Sequence, residues 1–219
     1  FTDNQKPYKQ RKVRILNGAH TSFVLASYLA GNDFVAESMN DTLISKFMLD
    51  TIYEEVIPTL SLPKEDLEQF ASAVIDRFNN PFIKHSLLAI SLNSVSKWKA
   101  RCLPSFLGYY EKNNILPKHL TFSIAALLAF YDSADLKEGV LIGKRNNQTY
   151  EIKDDQEVLE FFQNHAGSSA EDLTKSYLSM ESFHGMNLSQ IPQLNQVVAE
   201  YLKLIREVGM RAALEKTFS

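Results

Sequence analysis

Lys12, Asn17 and His20 are the residues of this chain whose types and spacing are suited to chemistry. A lysine acts as a general base only if burial or neighbouring cations lower the pKa of its amine. An asparagine amide can donate a hydrogen bond to a carbonyl or alkoxide oxygen. A histidine can hold a substrate hydroxyl or share a proton. Together these groups suit acid–base chemistry at a substrate oxygen.

Each of the three residues also has a structural explanation. Lys12 lies in a basic run over residues 9–14, which is typical of a solvated arm. Asn17 can cap the helix that follows it, and His20 can lie satisfied in the first turn of that helix. On one continuous α-helix, Lys12 and His20 would be about 12 Å apart along the axis. The three therefore converge best if Lys12 lies on an extended or bent segment, or reaches along the helix with its long side chain.

A second group of cations consists of Lys97, Lys99 and Arg101. Lys97 and Arg101 are four residues apart and face the same way on a helix, so they are candidates to hold a substrate carboxylate. The alternative is a solvated helix face. Trp98 lies between them and is expected in the core.

Apolar residues at steps of three and four predict helices along most of the chain. The predicted helices cover the region from Asn17 to Gly31, then 41–58, 63–79, a buried helix at 118–131, segments near 155–166 and 173–178, and a last amphipathic helix at 193–208. Caps are expected at Asp41 and at Asp154 or Asp155. Residues 1–11 are polar and contain Pro7, which predicts a linker or extended arm. Residues 140–152 predict two short strands around an Asn-Asn turn.

The composition excludes several classes of protein. The chain has 219 residues, 45% of them apolar, and a net charge of −3, so no strong field favours nucleic acid or an anionic membrane. A single cysteine, Cys102, excludes an internal disulfide and fits a reducing, cytoplasmic protein. The histidines have no metal-ligand spacing, and no glycine-rich dinucleotide turn follows a strand. We expect the start at Phe1 to be a cut inside a longer protein; a processed or tagged chain is the alternative.

The stretch from Lys12 to His20 resembles the active-site motif of the polyol-specific long-chain dehydrogenases, which is Lys, four residues, Asn, two residues and His. Two further segments resemble the tagaturonate reductase (altronate oxidoreductase) branch of that family. These are residues 53–60 (YEEVIPTL), and residues 80–85 (NPFIKH) followed by 91–101 (SLNSVSKWKAR). The resemblance covers nearly the whole chain.

The resemblance implies a mainly α, multi-helical domain with one small β-hairpin, like the C-terminal domain of 6-phosphogluconate dehydrogenase. Residues 1–16 would be a connection and active-site segment, and residues 17–219 a helical substrate-binding and catalytic domain. The family's N-terminal Rossmann domain would lie outside this chain and bind most of the NAD, with no metal. The choice between NAD and NADP would be made there.

The resemblance also implies roles for single residues. Lys12 would be the general acid/base, Asn17 would polarise the reacting oxygen, and His20 would help to place the substrate. His85 stands where an aspartate is expected in mannitol-type members. Lys97 and Arg101 are our candidates for binding a uronate carboxylate.

The expected reaction is the interconversion of D-tagaturonate and D-altronate by hydride transfer in the cytoplasm. Fructuronate or mannitol are alternative substrates within the family. An alternative of another class is a non-catalytic helical module that binds a partner through the apolar face of residues 118–131. Without the N-terminal domain we expect no turnover and no measurable NAD binding.

Overall fold

Helices make up most of the chain in the computed structural model, which describes residues 5–80, 84–133 and 135–218. The first four positions of the predicted arm, and residues 81–83 of the second resembling segment, lie outside the described residues. The α-helices are α1 (Lys6–Arg11), α2 (Gly18–Leu29), α3 (Val35–Asn40), α4 (Thr42–Asp50), α5 (Lys64–Phe78), α6 (Leu87–Ile90), α7 (Ser94–Arg101), α8 (Leu103–Asn113), α9 (Lys118–Tyr131), α10 (Gln156–Asn164), α11 (Ala170–Ser179), α12 (Glu181–His184), α13 (Leu194–Val208) and α14 (Met210–Phe218). Two π-helical segments (Lys12–Asn17, Thr51–Val56) and two 3₁₀ turns (Ile57–Thr59, Leu188–Gln190) join them.

Helix α9 forms the centre of the fold. All of its residues except Lys118 and Ala129 are buried, because its sequence is apolar all round. It packs against α13 and α2. The predicted buried helix at 118–131 is therefore confirmed. Because neighbouring helices cover α9, it has no exposed apolar stripe to offer a partner.

The ends of several helices follow the predicted signals. The Asp41 carboxylate accepts hydrogen bonds from the backbone N–H groups of Leu43 and Ile44, at 3.2 and 3.4 Å, and so caps α4. Helix α5 begins directly after Pro63. The chain turns after α2 at Gly31, whose φ of 114° is costly for any residue with a Cβ atom.

The predicted hairpin is present as part of a three-stranded antiparallel sheet. Its strands are β1 (Leu136–Lys137), β2 (Val140–Arg145) and β3 (Gln148–Ile152), in the order β1-β2-β3. Asn146, with a φ of 55°, forms the turn between β2 and β3. Strand β1 was not predicted, because two residues are too few to show an alternating pattern. Arg145 donates to the carbonyl oxygens of Tyr28 and Asn32, both at 3.0 Å, which ties the sheet to the end of α2.

Three sequence-based expectations are wrong. The predicted arm is helical from Lys6 to Arg11, because Pro7 lies in a first turn, where a missing N–H does no harm. The helix α13 is not the last one, since α14 follows Gly209. Asp155 takes the N-cap position of α10 but makes no side-chain capping bond. The Asp154 carboxylate instead accepts a hydrogen bond from the backbone of α7.

Trp98 and Cys102 are buried in the core, with 2% and 1% exposure, as expected. Burial raises the pKa of the Cys102 thiol to about 12, so this thiol is inert. Across the described ranges, no helix combines the length and the apolar character needed to cross a membrane.

Candidate active site

Lys12 and Asn17 are the first and last residues of the first π-helical segment. In a π turn the hydrogen bond closes from residue i to residue i+5, as the Gly18 N–H does to the Val13 carbonyl. Residues five apart therefore lie nearer to one face than they do in an α-helix, which turns Lys12 towards the face of Asn17. His20, three residues further on in α2, shares that face. The helix is continuous from Lys6 to Leu29, so the expected extended or bent segment is replaced by a π turn.

The Lys12 side chain is exposed. It lines an open cleft of about 560 Å³ together with Gln5, Lys6, Tyr8 and Lys9. A lysine that acts as a general base needs burial or neighbouring cations. The described part of this chain does not bury Lys12.

Asn17 is half-buried and stands at the N-cap position of α2. Its backbone is already helical, with φ −76° and ψ −34°, and its side chain makes no capping hydrogen bond. The capping explanation is therefore wrong. Its amide has no hydrogen-bond partner among the described residues and is available to a ligand.

His20 packs its ring against Phe78, with ring centroids 4.1 Å apart. Its Nε2 atom is buried and has no hydrogen-bond partner in the described structure, so the explanation of a satisfied histidine is also wrong. Burial, and then the nearby His85 and Arg101, lower the pKa of His20 to about 4. A neutral imidazole with one free nitrogen can donate or accept one hydrogen bond with a substrate hydroxyl.

Arg101 reaches the same face from the end of α7. Its Nη1 atom donates to Thr21 Oγ1 at 3.3 Å, and Thr21 Oγ1 donates to the Asn17 carbonyl oxygen at 3.0 Å. Burial lowers the pKa of the guanidinium, which stays charged nevertheless. Within the described ranges no carboxylate pairs with Arg101. It is a half-buried cation, close enough to His20 to lower its pKa, and has no counter-ion among the described residues.

Lys97 and Lys99 point to different surroundings. The Lys97 ammonium donates to the Ile90 carbonyl oxygen at 2.9 Å. Burial lowers the pKa of Lys97, as does the charge of Arg101, while Asp154 raises it. Lys99 lies instead against Gly185, where its Nζ is 3.5 Å from the position of an added Cβ atom. The structure brings Lys97 and Arg101 together, and directs Lys99 elsewhere.

Sequence reasoning missed two residues that support this arrangement. Thr21 joins Asn17 to Arg101, and Asp154 holds the start of α7. The Asp154 carboxylate accepts hydrogen bonds from the Val95 N–H at 3.3 Å and from the Tyr131 hydroxyl. Asp154 therefore caps the helix that carries the cations and not the helix that follows it. No local pattern reveals such contacts, because 59 and 80 residues separate the partners Val95–Asp154 and Thr21–Arg101.

His85 also belongs to this face. Its ring centroid is 6.5 Å from that of His20, and its side chain is exposed. The neighbouring Ser86 pairs with Phe34 in an isolated antiparallel bridge, which fixes the backbone beside His85. The face thus presents His20, His85 and Arg101, with Lys97 close enough to interact electrostatically with Arg101, a set suited to an anionic ligand. Across the described residues no group of three or more His, Cys, Asp or Glu side chains is arranged to hold a metal ion.

The sequence of this helical domain matches the family described as mannitol dehydrogenase C-terminal domain over residues 4–206, and the chain belongs to that family. It is 47% identical over 221 residues to an altronate oxidoreductase of Pectobacterium carotovorum, and 43% identical over 220 residues to one of Yersinia enterocolitica. Each match covers 98% of this chain and 44% of the relative, so the chain spans less than half the length of these curated relatives.

Among solved structures, the fold is similar to that of a mannitol 2-dehydrogenase of Pseudomonas fluorescens, determined as a ternary complex with NAD and D-mannitol. The TM-score is 0.85 at 24% identity, and the match covers 99% of this chain and 42% of that one. This likeness confirms the predicted fold class, a mainly α domain with one small sheet.

Proposed function

We propose that this chain is the substrate-binding and proton-transferring domain of an NAD-dependent oxidoreductase that interconverts D-tagaturonate and D-altronate. The observation that carries the proposal is that Asn17 and His20 lie three residues apart on one helix, Asn17 without a side-chain cap bond and His20 with an unpartnered Nε2, near Arg101, which has no carboxylate partner among the described residues. The name of the relatives, altronate oxidoreductase, supports the choice of substrate.

NAD does not fit the described residues by themselves. Their sheet is antiparallel, and none of its strands leads through a glycine-rich turn into a helix, which is the element that holds a dinucleotide pyrophosphate. We therefore assign the cofactor to an N-terminal domain of the same polypeptide, with residues 1–16 as connection and active-site segment and 17–219 as the helical domain. When bound there, NAD would donate or accept the hydride.

Lys12 handles the proton in this proposal. In reduction, the Lys12 ammonium donates a proton to the ketose oxygen, and in oxidation the amine takes it back from the alcohol. The Asn17 amide donates a hydrogen bond to the same oxygen and stabilises its negative charge in the transition state. Because Lys12 is exposed in this chain, the closed site must exclude water from it through the substrate and the N-terminal domain.

The remaining polar groups bind the sugar acid. The neutral His20 uses its free Nε2 to hold a substrate hydroxyl. Arg101 pairs with the carboxylate through two parallel hydrogen bonds, and Lys97 adds a second positive charge. Arg101 and Lys97 together distinguish a uronate from a neutral ketose. A bound neutral ketose would leave both cations against the substrate without a counter-charge.

The experiment is an assay of the full-length protein with tagaturonate, fructuronate and fructose as substrates and with NADH or NADPH as reductant. We expect the highest kcat/KM with tagaturonate and NADH. A higher value with fructuronate or fructose contradicts the choice of substrate. No turnover of any of the three contradicts the enzymatic proposal and favours a non-catalytic module.

The described chain alone provides a second test. It should bind no measurable NAD and show no turnover, because the cofactor is assigned to the other domain. Steady turnover by the isolated chain contradicts that assignment. We also place the protein in the cytoplasm, on the evidence of its single, buried cysteine.

A further inference from the structure

We propose that Thr21 is a positioning residue that aims Arg101 at the substrate carboxylate. The inference rests on the proposed function, because Arg101 is the carboxylate-binding group there. Thr21 lies outside the Lys-Asn-His motif but on α2, which carries His20. In this role, α2 takes part in recognising the substrate carboxylate.

The hydrogen-bond directions around Thr21 are fixed by chemistry. A threonine hydroxyl has one proton, and it is given to the Asn17 carbonyl oxygen at 3.0 Å. Its lone pairs then accept the Arg101 Nη1–H at 3.3 Å. The hydroxyl thus joins a backbone group of the motif helix to the guanidinium, and Arg101 is held without being neutralised.

The backbones around this contact are already in place. A Cβ atom added to Gly18 would lie 3.2 Å from the Arg101 carbonyl oxygen, so α2 and the end of α7 touch directly. The Cys102 thiol donates to the Gly18 carbonyl oxygen at 3.6 Å, one turn before Thr21. What remains adjustable is the long Arg101 side chain, and the Thr21 hydroxyl is its hydrogen-bond partner within the described residues.

The electrostatic surroundings make such a restraint necessary. Arg101 has no carboxylate partner in the described part of the chain. Its charge lowers the pKa of the nearby Lys97. Repulsion and the pull of solvent favour a guanidinium that swings outward. Thr21 opposes that movement and keeps the Arg101 guanidinium near His20. The guanidinium can then bind a carboxylate with less loss of side-chain entropy.

The test compares four variants of the full-length protein: Thr21→Val, Thr21→Ser, Arg101→Ala and the double variant Thr21→Val/Arg101→Ala. Thr149→Val, at an exposed position of strand β3, is the matched control. The measured quantities are kcat and KM for tagaturonate and for the neutral ketose with a hydroxymethyl group in place of the carboxylate. Thr21→Ala serves as a second hydroxyl-free variant if the valine variant does not fold.

We expect Thr21→Val to raise KM for tagaturonate about 10-fold with kcat changed less than about twofold. Thr21→Ser should restore the wild-type KM. In the Arg101→Ala background, Thr21→Val should have no further effect, because Thr21 acts through Arg101.

A wild-type KM for Thr21→Val, or a full additional increase in the double variant, overturns the inference while leaving the role of Arg101 intact. An Arg101→Ala variant that affects both ketoses equally contradicts the proposed carboxylate recognition itself. The two failures are therefore distinguishable.

Discussion

Lys12 and Asn17 stand at the two ends of one π-helical segment, so a spacing of five residues places both on one face of a continuous helix. An α-helix would instead turn Lys12 and Asn17 about 140° apart around the axis, since each residue advances about 100°. π turns inside α-helices are frequent at functional sites, and this one coincides with the motif. The turn gives a physical reason for the otherwise unusual combination of five-residue and three-residue steps.

Asn17→Ala should separate activity from stability. Because the Asn17 side chain caps nothing, we expect the free energy of unfolding to change by less than about 0.5 kcal/mol. The kcat of the full-length protein should fall about 100-fold, since one donor to the reacting oxygen is lost. Asp41→Ala, which removes a real cap, is the control and should cost about 1 kcal/mol of stability. An Asn17→Ala variant with a large loss of stability and normal kcat would contradict the assignment.

Substitutions of the three cations of α7 should change KM to different extents, and the change should depend on the substrate. Lys97→Ala and Arg101→Ala should raise KM for tagaturonate about 10- to 100-fold, and far more than for a neutral ketose. Lys99→Ala is the matched control on the same helix, because its side chain lies against Gly185. Equal effects of Arg101→Ala on both substrates, or an effect of Lys99→Ala as large as that of Arg101→Ala, would exclude this carboxylate site.

Two histidines with a buried ring nitrogen, His20 and His184, should make the chain sensitive to mild acid. Burial lowers the pKa of His184 to about 4, and that of His20 to about 4. An unfolded histidine has a pKa near 6.5, so between about pH 6.5 and 4 the unfolded chain binds more protons and the free energy of unfolding falls as pH falls. Above pH 6.5 neither group contributes a slope.

His184→Gln tests this pH dependence. The full effect of His184 is on the order of 3 kcal/mol, reached near pH 4. Urea unfolding of the wild type and of His184→Gln at pH 7, 6, 5 and 4 should show a shallower decline for the variant. Parallel declines for the two proteins would rule out His184 as a source of the acid sensitivity.

Glu55 should be among the most sensitive positions for stability. Its buried carboxylate accepts the backbone N–H groups of His119 and Leu120, at 2.7 and 2.8 Å, and contacts His119 Nδ1 at 2.8 Å. It thereby caps α9 from another segment. Glu55→Ala should lower the free energy of unfolding by about 3 kcal/mol, since buried donors lose their partner. The exposed neighbour Glu54 is the control. Glu54→Ala should change the free energy of unfolding by less than about 0.5 kcal/mol. Equal effects of the two substitutions would contradict the capping role.

Much of the fold follows from local patterns in the sequence. The apolar run at 118–131, the Asp41 cap and the Asn-Asn turn each depend on residues close together in the chain, and the structure confirms all three. The π turn could not be predicted, because the steps of three and four that reveal a helix do not distinguish hydrogen bonds to i+4 from those to i+5. Pro7 alone does not decide between an arm and a helix, because proline also occurs in the first turn of helices, as it does here.

The candidate site was predictable only as separate segments. Residue type and spacing indicate the motif residues, and separately Lys97 with Arg101. Their relation to each other depends on Thr21 and on the crossing of α2 with α7 at Gly18, contacts between residues about eighty positions apart. Lys99 was indistinguishable from its neighbours in the sequence, and only the position of α12 shows where it points.

The most direct test of the account is the kcat of the full-length protein with Lys12 replaced by alanine, measured with tagaturonate and NADH at saturation. Lys64→Ala, an exposed lysine on α5 paired with Glu68, is the control. We expect Lys12→Ala to lower kcat about 100- to 10,000-fold, the usual contribution of a general acid, and Lys64→Ala to stay within about twofold of wild type. A Lys12→Ala protein that reduces tagaturonate at the wild-type rate would contradict the assignment of Lys12 as the general acid.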